Sequence, residues 1–183
     1  IEHFFNSPEG VLTYIKETGL QELFQTKSVS NLVDYVFGVE VGLDTNARKN
    51  RSGHLMEHRV SSVFLKNGID FKQEVCSTAY PELAILGKDK KRFDFVVSTT
   101  SVTYLIEVNF YSGGGSKLNE VARAYSELAP KINSLDNFEF VWITDGQGWL
   151  TAKNKLQEAF YTIPKIYNLT TICNFVQTIK ETL

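Results

Sequence analysis

The chain predicts an α/β fold in which a mixed central sheet is flanked by helices. Two observations carry that reading. Between Arg92 and Phe110, two stretches with a period of two in their apolar residues are joined by a polar Ser/Thr turn, the pattern of a hairpin of adjacent strands. A strand from Tyr104 to Phe110, a helix of sufficient length to cross a sheet, and an apolar strand from Phe138 to Thr144 then form a β-α-β unit. Such a unit implies a parallel pair joined by a right-handed crossover.

The chain has 183 residues of ordinary globular composition, 43% hydrophobic, enough for one domain (1–183) with a sizeable core. It begins at Ile1 and its only methionine is Met56, so a C-terminal fragment of a longer chain is expected. The formal net charge of −2 gives no whole-chain basic field that would advertise nucleic acid. Basic residues are instead local, at Arg48-Lys49-Asn50-Arg51 and from Lys88 to Arg92. Cys76 and Cys173 lie far apart with no metal-ligand spacing, and are read as reduced, buried thiols of a cytoplasmic protein. No run is long and apolar enough to cross a membrane.

In chain order, a helical N-terminal part (about 1–67) comes first. Residues 8–18 place Val11, Leu12 and Ile15 on one helical stripe, with Gly19 as a stop. A second helix is expected from Ser30 to Phe37, with Leu32, Val33, Val36 and Phe37 inward. Gly42 to Gly53 turns polar and basic and reads as a loop. There Arg48, Lys49 and Arg51 have the chemistry to bind phosphates or base edges, or simply to be solvated. Ser52 is the expected N-cap of the next helix, which runs to Lys66 with Gly68 beyond it. Met56, Val60, Val63 and Phe64 are its buried stripe. Glu57 lies about 100° round from Met56, at the edge of that stripe, and is able to reach a site or to pair with His58, Arg59 or Arg51. His54 and His58 stand at a zinc-compatible spacing, but no third ligand lies near them.

A first strand is expected over Phe71–Thr78, then a long connection from Tyr80 to Lys91. In the next strand Phe93, Phe95 and Val97 alternate with Asp94 and Val96, so Asp94 faces away from the phenylalanines. Glu107 and Asn109 share a face of the following strand with Leu105, opposite Ile106 and Val108. A carboxylate in an apolar strand is costly unless paired, hydrogen-bonded or bound to a metal. Ion pairs with Lys91 and Arg92, or simple solvation, are the plain alternative. Ser112 to Lys117 is a glycine loop, with Ser116 as N-cap of a helix whose apolar positions are Leu118, Val121, Ala122, Tyr125 and Leu128. The loop lacks the spacing of a nucleotide-triphosphate loop; amides at that helix start suit a DNA phosphate, or the glycines simply let the chain turn sharply. After the Phe138–Thr144 strand, Asp145 to Trp149 is a tight turn. Helices are expected from Leu150 to Tyr161 and from Cys173 to Leu183, the last with Phe175, Val176 and Ile179 inward.

An Asp on one strand and Glu-x-Asn on the next, followed by a helix and a further strand, resembles the PD-(D/E)XK nuclease core. The strings LIEVNFYSGGGSKLNEVARAY, KNRSGHLMEHRV and FEFVWITDGQGW resemble one branch of it, the type II restriction endonucleases of the DpnII/MboI kind. The resemblance covers about Asn46 to Trp149, and the three strings are more specific than the acid spacing alone. It implies a restriction-endonuclease-like core over about 52–149 and Mg²⁺-dependent hydrolysis of double-stranded DNA at unmethylated GATC, leaving 5′-phosphates. It also implies a homodimer on a palindromic site. Asp94 and Glu107 become the metal ligands, and Glu57 matches the helix acid that completes the cluster. Asn109 stands where this core most often has lysine; it can orient water but supplies no charge and cannot act as a base. Lys117 is the candidate for the missing positive charge. Two other classes remain open: a repair or junction-resolving nuclease on the same core, and a non-catalytic DNA-binding module.

Overall fold

A computed structural model describes residues 6–17, 21, 45–87 and 90–183; the side chains of 45–53 are outside what it describes. The helix expected over Ser30–Phe37 therefore lies outside the described residues. The chain divides into two compact units, Ile1–Arg48 and Lys49–Leu183.

In the first unit, helix α1 spans Pro8–Glu17. Ser7 caps it by accepting the Gly10 amide on its Oγ at 3.0 Å. Tyr14 is its buried residue, while Leu12, placed in the expected stripe, is exposed. The two are two positions apart, about 200° round the helix, so Leu12 lies on nearly the opposite face from Tyr14.

The second unit holds a five-stranded sheet, β1 (Lys72–Cys76), β2 (Arg92–Ser98), β3 (Thr103–Phe110), β4 (Phe138–Asp145) and β5 (Ile166–Tyr167), side by side in that order. The β1–β2 and β2–β3 pairs are antiparallel, and β3–β4 and β4–β5 are parallel. The mixed sheet is thus as the hairpin and the β-α-β unit predict. The two-residue β5 is too short to show a period in sequence.

Helix α2 (Thr45–Lys66) begins seven residues before the expected Ser52 cap, so the stretch read as a loop is helical from Thr45. Ala47, Arg48, Lys49 and Arg51 are all good helix formers, and a single Gly53 costs only about 1 kcal/mol. Polarity alone does not make a loop when no proline interrupts the run. Met56, Val60 and Phe64 of α2 join Phe95, Val97, Tyr104, Ile106 and Val108, together with Ile172, Phe175, Val176 and Ile179 of the last helix, α5 (Ile172–Thr182). This cluster covers one face of the sheet.

The other face packs Val96, Leu105, Phe140 and Trp142 against Leu118, Ala122, Tyr125, Ala129 and Ile132 of α3 (Ser116–Asn133), with Ala159 of α4 (Lys153–Phe160). Phe93 belongs to this second cluster, so the alternation expected for Phe93, Phe95 and Val97 breaks at Asp94. Opposite it, Glu74 of β1 takes a left-handed φ of 55°, which interrupts the pleat there. Gly115, not Ser116, occupies the cap position of α3, with a φ of 152°. Neither cysteine is buried: Cys76 is half-buried and Cys173 exposed, both as free thiols. No helix among the described residues is long and apolar enough to cross a membrane.

Candidate active site

Two neighbouring strands, β2 and β3, place the acid pair. Register runs Phe95 against Ile106 and Val96 against Leu105, so one step further brings Asp94 beside Glu107. Asp94 Oδ2 accepts the Val108 amide at 2.7 Å, which ties its carboxyl to the neighbouring strand. Glu107 is buried at 5% exposure among the apolar residues of β3. Tyr125 donates its hydroxyl to Glu107 Oε2 at 2.5 Å, and Lys91 Nζ lies 2.8 Å from Oε1. Of the ion pairs weighed from sequence, Lys91 does pair with Glu107, whereas Arg92 pairs with Glu74 at 2.7 Å.

Burial raises the Asp94 pKa from 3.8 to about 7, and the charges of Glu107, Glu57 and Glu74 push the same way against the Val108 amide. Glu107 is also raised, first by burial, with Lys91 and Tyr125 opposing. Tyr125 is held well above the ordinary tyrosine value by burial and by the Glu107 charge. A site in which acids raise one another's pKa is one that a cation would relieve.

Glu57 reaches this field from α2. It contributes to the Asp94 shift, and its Oε2 lies 3.6 Å from His54 Nδ1, a partner other than the His58, Arg59 and Arg51 weighed from sequence. Asn109 Oδ1 accepts the Trp142 indole N–H at 2.9 Å, and its side chain also hydrogen-bonds towards Tyr125. Asn109 thus lies in one polar chain with Trp142, Tyr125 and Glu107.

Beyond the acids, two loops lie together at the C-terminal ends of β3 and β4. Tyr111 donates its amide to Asp145 and accepts the Gly148 amide at 2.8 Å. Gly146, at a φ of 114°, sits so close to the Tyr111 carbonyl that a Cβ would collide with it, which is why the turn needs glycine. Lys117 is exposed in the first turn of α3. The structure brings Asp94, Glu107, Asn109 and the field of Glu57 together; Arg48, Lys49 and Arg51 lie on α2 with their side chains outside the described residues.

Two residues of the site were not singled out as site residues in the sequence. Tyr125 was read only as part of an apolar face, although a buried tyrosine hydroxyl ordinarily demands a partner. Lys91 enters the sequence reading as part of a basic run and as an ion-pair partner for the strand acids, the plain alternative to a site, and not as a member of the site.

As a donor set, Asp94 and Glu107 offer hard carboxylate oxygens from adjacent strands, which suits a divalent cation such as Mg²⁺. Among the described residues, no three His, Cys, Asp or Glu side chains gather closely enough to hold a metal ion. The pair therefore fits a cation that keeps several waters, as Mg²⁺ does, and Glu107 would have to share its Oε1 with Lys91.

Comparison with known proteins gives the family. The model of the DpnII restriction endonuclease family matches residues 2–178. The type II restriction enzyme MboI of Moraxella bovis is 53% identical over 181 residues, covering 99% of this chain and 65% of that protein. DpnII of Streptococcus pneumoniae is 47% identical over 175 residues, 89% of this chain and 61% of its own length. MjaIII of Methanocaldococcus jannaschii is 47% identical over 169 residues, covering 85% of this chain and 58% of that enzyme. The chain thus spans less than two thirds of the length of these relatives. No solved structure matches it. With an acid pair on adjacent strands of a mixed sheet and a family match over nearly its whole length, the chain belongs to the DpnII restriction endonuclease family.

Proposed function

We propose that this chain is the greater part of a type II restriction endonuclease that hydrolyses double-stranded DNA at unmethylated GATC and leaves 5′-phosphates. The observation that carries the proposal is the carboxylate pair of half-buried Asp94 and buried Glu107, held side by side on β2 and β3 with Glu57 in reach of their field. The family of the relatives supports the reaction class; the sequence read rests on the resemblance of the three strings.

Asp94 and Glu107 would hold the divalent cation, here Mg²⁺, with Glu57 completing the acidic surround. Bound there, the cation would activate water and offset the charge that builds on the phosphate oxygens. The chain's own residues set the geometry. Val108 fixes one Asp94 oxygen, Tyr125 fixes one Glu107 oxygen, and the cluster around Phe64 and Phe95 makes the strands rigid behind them. Asn109 offers hydrogen bonds without charge and orients water. Arg48, Lys49 and Arg51 on α2, and Lys117 at the start of α3, are the assigned contacts to DNA. A homodimer matches the two-fold symmetry of a palindromic site. Free Cys76 and Cys173 suit the reducing cytoplasm.

The test uses the full-length protein, incubated with unmethylated and fully methylated plasmid in Mg²⁺ or EDTA, and the cut ends are sequenced. Mg²⁺-dependent ends at GATC in the unmethylated plasmid alone are the expected result. Ends scattered by DNA shape would replace this reading with a repair or junction nuclease. Retained binding without cutting in either plasmid would leave a DNA-binding module.

A further inference from the structure

The nuclease motif has its lysine two residues after the glutamate on the same strand, where this chain has Asn109. A lysine nevertheless reaches that carboxylate from the opposite side. Lys91 immediately precedes β2, and its Nζ stands 2.8 Å from Glu107 Oε1. The same ammonium lies 5.3 Å from the centroid of the Tyr125 ring, whose hydroxyl binds the other Glu107 oxygen. Carboxylate and ring together hold one cation.

This position is built from the backbone outward. The Lys91 carbonyl accepts the Ser77 amide at 2.7 Å, and its own amide donates to Ser77 Oγ at 3.2 Å. Ser77 is itself buried, and Cys76 pairs with Arg92 in the sheet, so both neighbours of the Lys91 clamp are in register. The side chain is not enclosed: 32% of the Lys91 side chain is exposed, against 6% of the Glu107 side chain.

We propose that Lys91 meets the scissile phosphate of duplex DNA and supplies the positive charge that Asn109 lacks. The inference deepens the nuclease reading above and rests on it. Lys91 is three rotatable donors on a flexible stem, so it bridges Glu107 and a phosphate oxygen without leaving the Tyr125 ring. Lys117, in contrast, is exposed at the start of α3.

Two measurements on the full-length protein test this. In single-turnover cleavage of a GATC duplex with Mg²⁺, Lys91→Met should slow the reaction by about 100-fold or more, the usual cost of losing one group that stabilises developing charge. Adding Asn109→Lys to Lys91→Met should restore at least about tenfold of that loss, because it returns the charge from the strand. Neutralisation of Glu107 alone is separated by a second measurement, DNA binding in EDTA on a Glu107→Gln background, where no carboxylate needs Lys91. There Lys91→Met should lower the slope of log Kd against log salt by about 0.9 per protomer, one phosphate contact. A Lys91→Met cleavage rate within about threefold of the parent, or an unchanged salt slope, overturns the inference. If the parent enzyme itself does not cut GATC, the nuclease reading falls, and the salt slope still decides whether Lys91 touches phosphate.

Discussion

The two faces of β3 make opposite use of the same strand. Tyr104, Ile106 and Val108 enter an apolar cluster with Phe64, Phe95 and Phe175. Leu105 begins the other face in the same way, but Glu107 and Asn109 follow it, and both side chains reach partners on other elements. Glu107 holds Tyr125 of α3 and Lys91 ahead of β2, and Asn109 holds Trp142 of β4. Neighbouring residues on one strand thus serve stability and chemistry separately, because the pleat sends them to different surroundings. A buried carboxylate costs several kcal/mol without partners. The polar face is therefore the less stable half of the strand, kept for what it can bind.

If that division is right, the two faces answer differently to substitution. The largest effect is expected on the polar face, for Asp94→Asn. Single-turnover cleavage should fall by at least about 10⁴-fold, near 5.5 kcal/mol of barrier. Stability should move the opposite way. The folded pKa of Asp94, about 7, lies above its ordinary 3.8, so the folded state binds this proton more tightly than the unfolded chain. In EDTA the stability contributed by the protonated carboxyl is complete below about pH 4 and is lost as pH rises through about 7. Asp94→Asn removes that loss, and its melting temperature at pH 8 should exceed the parent's. A variant that is both inactive and less stable at pH 8 would mean that Asp94 is structural and that the contrast between the faces is wrong.

Phe64→Ala attacks the apolar face. Phe64 is fully buried and makes ring contacts with Phe71, Phe95 and Phe175 at 5.7 to 6.2 Å. Truncation should cost about 3–5 kcal/mol in urea unfolding. The cleavage rate per folded molecule should remain within about threefold of the parent. A large loss of rate in the surviving folded fraction would show that the back of the sheet does more than support the acids.

What was legible in the sequence follows the same division. The period of two in β3 and the 3.6 period of α3 report burial, and both are local, so the hairpin, the crossover and the acid pair can be read from residues close in the chain. Partners are not local. Tyr125 looks like one more apolar position of α3, and nothing near it in sequence says that its hydroxyl ends on Glu107. Lys91 belongs by sequence to a basic run and by structure to an acid on another strand. The Asp94 face was misjudged for Phe93 because the left-handed backbone of Glu74 lies on a different strand. The start of α2 was misread because polar residues with good helix propensity look like a loop when no tertiary contact is visible.

Tyr125→Phe probes one of those hidden partners. It keeps the ring beneath Lys91 and removes only the donor to Glu107 Oε2. Leaving a buried carboxylate oxygen without that bond should cost about 1–3 kcal/mol in unfolding free energy. Cleavage should slow by about tenfold, because Glu107 loses the bond that fixes its rotamer. A rate equal to the parent's would show that Lys91 alone is enough to position the carboxylate.

The smallest effect is expected at Asn109, and it separates two meanings of the same residue. If Asn109 serves mainly as acceptor for the Trp142 indole, Asn109→Ala strands one buried N–H and costs about 1 kcal/mol of stability. Cleavage then stays within about tenfold, since the charge comes from elsewhere. If its amide orients the attacking water, the rate should fall by 10² or more with the same small loss of stability. Chemical denaturation and single-turnover kinetics on one variant give both numbers. A large rate loss would extend the catalytic face of β3 two residues beyond Asp94's partner. A small one would end it at Glu107, with Asn109 a polar brace between β3 and β4.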